Sequence, residues 1–124
     1  MRKLLFLLSL TAISAQAEQA STYDCAADNR TMIRNGVQAV MMCNGLFTSQ
    51  RTLPQVFSQE LAYLPDRVGT PAGGEYVVDH ERQAVAVGGT TTGPTIRAAF
   101  RQGIGCVVMP PDQSFADIDA LPVL

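Results

Sequence analysis

The sequence predicts an α+β fold, with one or two N-terminal helices followed by an antiparallel β-meander. Three observations support this class. Apolar residues recur at helical spacing in the first half of the chain. The hydrophobic period then changes to two over residues 75–109. Short turn-forming segments separate these later runs, as expected for neighbouring antiparallel strands. Helices followed by runs of strands are typical of α+β domains.

The first helix is predicted over residues 31–43. Apolar residues occur there with the spacing of one helix face: Ile33, Val37, Val40 and Met41. The pair Asn44-Gly45 is a typical helix breaker. We therefore expect the helix to end at about Cys43 and a short extended piece to follow at residues 46–48.

The second helix, residues 52–61, has the clearest signals. Thr52 is a good N-cap, and Gln55 three residues later completes a capping-box pattern. Pro54 lies in the first turn, where its missing N–H costs little. One apolar stripe follows, formed by Leu53, Val56, Phe57, Leu61 and Leu64. Pro65 ends the helix.

Two β-hairpins are predicted after a Gly- and Pro-rich loop. The first joins residues 75–78 to residues 83–87, and the second joins residues 95–101 to residues 106–109. The second turn contains Gly-Ile-Gly, which indicates a tight turn with positive φ. A phosphate-binding loop is disfavoured there, because no helix signal follows the glycines.

The N-terminus resembles a secretory signal peptide, residues 1–17. Arg2 and Lys3 precede an apolar run, residues 4–13, and Ala15-Gln16-Ala17 matches a small-x-small cleavage site. The run is about half the ~20 residues that span a bilayer, so an uncleaved anchor is the weaker alternative. We expect cleavage after Ala17, a periplasmic or secreted product, and no stable membrane span after cleavage.

The remaining chain is poor in positive charge. Residues 18–124 contain seven arginines, eleven acidic residues and no lysine, and so carry a formal charge of −4. No basic patch is visible, which argues against a nucleic-acid partner. Residues 18–30 are small and polar and are predicted to be a flexible lead-in.

Three cysteines, Cys25, Cys43 and Cys106, occur in this predicted export product. Export favours disulfides, and the odd count leaves one thiol over. Sequence alone allows three pairings. We favour Cys43 with Cys106, because both lie in apolar surroundings. The alternative, that both are buried free cysteines, stays open.

No catalytic, cofactor-binding or metal-ligating residue is predicted. His80, the single histidine, lies between Asp79 and Glu81 in a turn and is expected to be solvated. The motifs HExxH, CxxC and GxSxG are absent from the sequence. Three acidic residues near the C-terminus lack the spacing of an EF-hand and are expected to be solvated: Asp112, Asp117 and Asp119.

Two segments of the chain are similar to stretches of one known family. Residues 43–51, CNGLFTSQR, are similar to that family's Cys-Ser-Gly-Val-Phe-Val-Ser-Gly-Arg stretch. Residues 97–106, RAAFRQGIGC, are similar to its Arg-x-x-x-Tyr-Arg-x-Gly-Leu-Gly-Cys stretch, with two residues and not three between the first arginine and the aromatic position. The chain thus resembles the β-lactamase-related serine hydrolases, a family that includes class C-like β-lactamases, esterases and 6-aminohexanoate-dimer hydrolases. The motif positions that match and are expected to be structural are Gly45, Phe47, Arg51, Arg97, Arg101, Gly103 and Gly105. The departures include Asn44, Gln50, Phe100 and Ile104.

The resemblance implies a catalytic Ser-x-x-Lys and a Tyr, both following these segments. None of the serines here has a lysine three residues on: Ser9, Ser14, Ser21, Ser49, Ser58 and Ser114. Residues 31–110 are thus predicted to be the N-terminal α+β segment of such a hydrolase, an incomplete domain, and residues 111–124 a linker-like tail. The catalytic domain would be the missing partner, and a small-molecule substrate would bind only the intact parent. The alternative is a small secreted binding or inhibitory module.

Overall fold

The computed structural model describes residues 25–111 and 113–124, with side chains from residue 29 onward. The predicted signal peptide lies outside the described residues, as do residues 18–24 and Asp112. The elements, in chain order, are α1 (Cys25–Cys43), a π-helical turn (Asn44–Thr48), α2 (Leu53–Ser58), a 3₁₀ turn (Glu60–Tyr63), β1 (Tyr76–Asp79), β2 (Ala84–Gly89), β3 (Gly93–Arg101), β4 (Gly105–Val108) and α3 (Phe115–Ile118). The predicted α+β class is confirmed.

Helix α1 begins at Cys25, six residues before the predicted start, so the end of the predicted lead-in is helical. Its buried face also differs from the apolar row seen in the sequence. Ile33 is 61% exposed and Val37 38% exposed, whereas Asn35 and Gln38 are fully buried. The helix can bury these two amides because each is hydrogen-bonded to the backbone of a neighbouring segment.

The chain does not become extended after α1. The prediction for residues 46–48 is wrong, because Asn44–Thr48 continue as one wide π-helical turn. The amide of Ser49 donates to the carbonyl of Asn44 at 2.9 Å, the five-residue spacing of a π-helix. The Asn44-Gly45 pair therefore changes the helix type instead of ending it.

Helix α2 confirms the predicted capping box. The Thr52 amide donates to Gln55 Oε1 at 2.9 Å, and the Gln55 amide donates back to Thr52 Oγ1 at 3.4 Å. The apolar stripe faces inward: Val56, Phe57 and Leu61 are buried. The α-helix is shorter than predicted, because the chain tightens into the 3₁₀ turn before Pro65.

Both predicted hairpins are confirmed and form one antiparallel sheet in the order β1-β2-β3-β4. Alternate residues face opposite sides, so the sheet contributes to two separate apolar clusters. On the first face, Val85, Val87 and Ala98 pack with α1 and α2. On the second face, Ala84 and Ala99 pack with Met109 and Ile118.

The last residues cover the second face. Residues 111–124, expected to be linker-like, contain α3, and Ile118 within it is fully buried. Ser114 and Asp117 form a capping box at its start: the Ser114 amide donates to Asp117 Oδ2 at 2.6 Å. These bonds hold the pKa of the Asp117 carboxyl below its usual range.

Candidate functional site

The two segments that carry the family resemblance are covalently joined. Cys43, at the end of α1, and Cys106, on β4, form a disulfide with a Cα–Cα distance of 6.1 Å. This is the pairing favoured from the sequence, and it links positions 63 residues apart. We call the region around it the disulfide corner: Cys43, Gly45, Phe47, Arg51 and Cys106.

Gly45 is buried in the π-helical turn, directly against α2. A Cβ atom on it would lie 2.7 Å from Cγ2 of Val56, closer than real Cβ contacts come. The Gly45 carbonyl also accepts a hydrogen bond from the Arg51 amide at 2.9 Å. The close approach of the turn to α2 therefore requires glycine at this position.

Arg51 connects the disulfide corner to the end of α2. Its Nη1 atom lies 2.7 Å from Glu60 Oε1 and also donates to Gln59 Oε1. Phe47 packs partly against the core, and its ring meets the ring of His80 edge-on with centroids 5.9 Å apart. His80 is exposed in the β1–β2 turn, as predicted. These contacts hold neighbouring elements of the fold together.

The arginines of the second segment lie on the second face of the sheet. Arg97 Nη1 donates to the Gln113 carbonyl at 2.6 Å, and its guanidinium lies 5.2 Å from the centroid of the Phe115 ring. The carbonyl of Arg101 accepts from the Ile104 amide at 3.0 Å and closes the β3–β4 turn. Gly103 and Gly105 have φ of +77° and +94° in that turn, which confirms the sequence-based expectation of positive φ.

No serine hydroxyl among the described residues is hydrogen-bonded to a histidine or a lysine. Ser49 is exposed, the Ser58 hydroxyl donates to the Gln55 carbonyl, and the Ser114 hydroxyl donates to Asp117 Oδ2. In the described ranges, no group of three or more His, Cys, Asp and Glu residues could hold a metal ion. Asp119 bonds to Arg82 at 3.2 Å, so it forms part of an ion pair.

A carboxylate that the sequence analysis missed holds the β2–β3 turn. Glu75 accepts hydrogen bonds from the amides and hydroxyls of Thr91 and Thr92 and from the Thr90 hydroxyl. The Thr92 and Thr91 bonds lower the pKa of Glu75 from 4.5 to about 2. Three consecutive threonines between two strands were the only sequence signal for this arrangement.

Two buried amides were also missed, because they interrupt the apolar pattern of α1. Gln38 Nε2 donates to the Val68 carbonyl at 2.8 Å, and its Oε1 accepts from the Val68 amide at 2.7 Å. Asn35 Nδ2 donates to the carbonyls of Thr92 and Pro94. Asn35 and Gln38 are three residues apart, and Met42 follows Gln38 by four residues, so all three lie on one face of the helix. This spacing was a sequence signal that the two amides face inward.

An apolar groove of about 370 Å³ runs beside β4, along the exposed side of α1. Its lining includes Met32, Ile33, Gly36, Val37, Ile96 and Val108. Ile33, Val37 and Val108 are among the exposed large hydrophobic residues. The described residues that line the groove are apolar, so its chemistry suits apolar contact.

No family model, curated protein or solved structure matches the chain. Of the helices in the described ranges, none has the length and apolar character needed to cross a membrane. Disulfides such as the Cys43–Cys106 bond are typical of proteins in oxidising compartments.

Proposed function

We propose that the chain is the N-terminal, non-catalytic portion of a secreted β-lactamase-related serine hydrolase. The parent enzyme would hydrolyse amide, ester or β-lactam bonds through an acyl-enzyme. The observation that carries the proposal is the disulfide corner, where Cys43 opens one resembling segment and Cys106 closes the other. Two segments read independently from the sequence thus meet at a single covalent contact.

The matching glycines add support, because each has a geometric reason to be glycine. Gly45 has no space for a Cβ atom, and Gly103 and Gly105 have positive φ. Arg51 and Arg97 also make defined contacts, to Glu60 and to Gln113. We therefore propose that this segment positions, and does not supply, the reacting groups of the parent enzyme.

The proposal places the chain in the periplasm or outside the cell, with residues 1–17 removed. The support is the charge and apolar pattern of the N-terminus together with the disulfide. N-terminal sequencing of the exported product tests it. We expect Glu18 as the first residue, and an intact Met1 on an exported chain would contradict cleavage after Ala17.

Catalytic inertness is tested with a serine-directed fluorophosphonate probe. We expect no stoichiometric labelling of the purified chain, because no described serine hydroxyl is hydrogen-bonded to a histidine or lysine that could take its proton. A serine hydrolase of known activity provides the positive control. Specific labelling of one serine, mapped by peptide mass spectrometry, would overturn the assignment as a non-catalytic portion.

The second candidate is a small secreted binding or inhibitory module, favoured by the apolar groove beside β4. It predicts that residues 18–124 unfold in one cooperative thermal transition in isolation, with dispersed amide resonances. A non-cooperative chain that binds a hydrophobic dye would count against this candidate.

A further inference from the structure

The chain beyond β4 crosses the second face of the sheet and contacts it at several points. We call residues 113–124 the strap. Ile118 is fully buried in a cluster with Ala84 and Ala99. At the strap's beginning, the Gln113 carbonyl accepts from Arg97, whose guanidinium also lies over the Phe115 ring. The alanines of the sheet leave the space that Ile118 fills.

The later part of the strap is held by Leu121, which packs against the same cluster, and by polar contacts near the surface. Asp119 bonds to the Arg82 guanidinium at 3.2 Å, and their side chains are 60% and 35% exposed. Arg82 is also paired with Asp79, the last residue of β1. The Leu124 amide donates to the Gln102 carbonyl at 3.2 Å. Exposed ion pairs of this kind contribute little and are screened by salt.

The strap shares no buried residue with the core on the first face. The cluster under the strap and the cluster beside the disulfide have no member in common. Helix α3 has four residues, far below the ~12–15 that an isolated helix needs, so it depends on its contacts with the sheet. The disulfide, α1 and α2 pack on the first face, so we expect them to stay anchored when the strap contacts are lost.

We propose that the strap is a separable cover, which opens as one unit while the disulfide-linked core stays folded. Opening removes Ile118 from its place against the sheet and breaks the Arg82–Asp119 pair. It uncovers Ala84 and Ala99 and frees the Arg97 guanidinium from Gln113. The second face of the sheet thus alternates between a covered state and an open state, with ionic strength favouring the open one. This inference does not depend on the proposed function.

Amide hydrogen exchange on the full chain, read by NMR, tests the proposal. The strap has three probes, the backbone amides of Ala120, Leu121 and Leu124. They donate to the backbone carbonyls of Asp117, Ile118 and Gln102, respectively. The core probe is the Phe100 amide, which donates to Gln83. We expect the three strap amides to share one protection factor, at least about tenfold below that of Phe100. Raising the salt concentration lowers protection in the strap alone.

Two substitutions perturb the two kinds of contact. Asp119→Asn removes the ion pair and is expected to lower the protection of all three strap amides about two- to fivefold. Ile118→Val is a mild truncation that should preserve folding. We expect it to lower the protection factors of the same three amides by a common factor. Glu60→Gln is the matched control, because it removes the Arg51 pair on the other side of the molecule and should leave the strap unchanged.

The proposal is overturned if the strap amides exchange with the protection of Phe100, since the strap would then open only on global unfolding. It is also overturned if the three amides respond separately to Asp119→Asn and Ile118→Val. The salt dependence of strap protection in the unsubstituted chain tests the proposal without any effect of a substitution on overall stability.

Discussion

Two glycines near the first face of the sheet differ in the space around them. Gly45 has Val56 Cγ2 at 2.7 Å from the Cβ position, whereas at Gly36 the nearest atom is 3.5 Å away. We expect Gly45→Ala to lower the free energy of unfolding by about 1–3 kcal/mol through overpacking. Gly36→Ala in the interior of α1 should raise it by about 0.5–1 kcal/mol. Urea denaturation measures both, and equal effects of the two substitutions would contradict the packing described here.

The backbone of Val68 is hydrogen-bonded in the protein interior to a side chain, that of Gln38, and not to another backbone segment. Its side-chain amide accepts from the Val68 amide and donates to the Val68 carbonyl, and it also donates to Met42 Sδ at 3.6 Å. Gln38 is fully buried. Gln38→Met keeps the shape but leaves a buried amide and a buried carbonyl without partners. We expect a loss of at least about 2 kcal/mol in the free energy of unfolding.

The control for this substitution is Gln102→Met, an exposed glutamine in the β3–β4 turn. Its effect should stay within about 0.5 kcal/mol. If Gln38→Met were as mild as this control, the Gln38–Val68 bonds would not contribute to stability.

At the scale of elements, the disulfide ties α1 to β4 across 63 residues. Closing a loop of this length contributes about 4 kcal/mol in the chain-entropy model. We expect the double variant Cys43→Ala, Cys106→Ala to lose about 2–4 kcal/mol in the free energy of unfolding, measured with denaturant. Cys25→Ala is the control, and an equal loss there would mean that Cys25 takes part in the pairing.

The β2–β3 turn should make stability depend on pH in the acid range. The threonine bonds lower the pKa of Glu75 from 4.5 to about 2 in the folded protein. Because the folded pKa is the lower one, the charged form stabilises the fold above about pH 4.5, and this contribution is lost as the pH falls towards 2. Glu75→Gln should therefore reduce the stability difference between pH 5 and pH 2, as followed by denaturant unfolding.

Other carboxylates also have a lowered pKa. The pKa of Asp79 is also lowered, mainly by the Arg82 amide. Glu81→Gln, which changes an exposed carboxylate of the neighbouring turn, therefore serves as the charge-matched control. A pH profile of Glu75→Gln identical to that of the unsubstituted chain would contradict the role given to the threonine turn.

The elements with local signals could be predicted from the sequence, and those that depend on distant contacts could not. The capping box of Thr52 and the two hairpins rest on neighbouring residues, so their patterns were sufficient. The buried face of α1 depends on Val68 and Pro94, which accept bonds from Gln38 and Asn35 across the fold. The π-helical turn brings Gly45 close to Val56 of α2, and this tertiary contact could not be predicted from the local sequence.

The candidate site shows the same division. The cysteine pairing was narrowed by the apolar surroundings of Cys43 and Cys106, and the structure forms that bond. The role of Glu75 was missed, because its threonine partners lie 15–17 residues later. The cover over the second face was missed too, although Phe115, Ile118 and Leu121 recur at three-residue spacing and pack in one cluster.

For the whole molecule, we propose that this chain is the non-catalytic N-terminal portion of a serine hydrolase. The claim requires the catalytic groups to be encoded elsewhere in the parent, since the chain has a single lysine, Lys3, within the predicted signal peptide. The most direct measurement is to sequence the genomic DNA beyond codon 124 and read all three frames. We predict a downstream frame that encodes Ser-x-x-Lys followed by a Tyr motif. A non-coding stretch with neither motif would contradict the claim and favour the binding module.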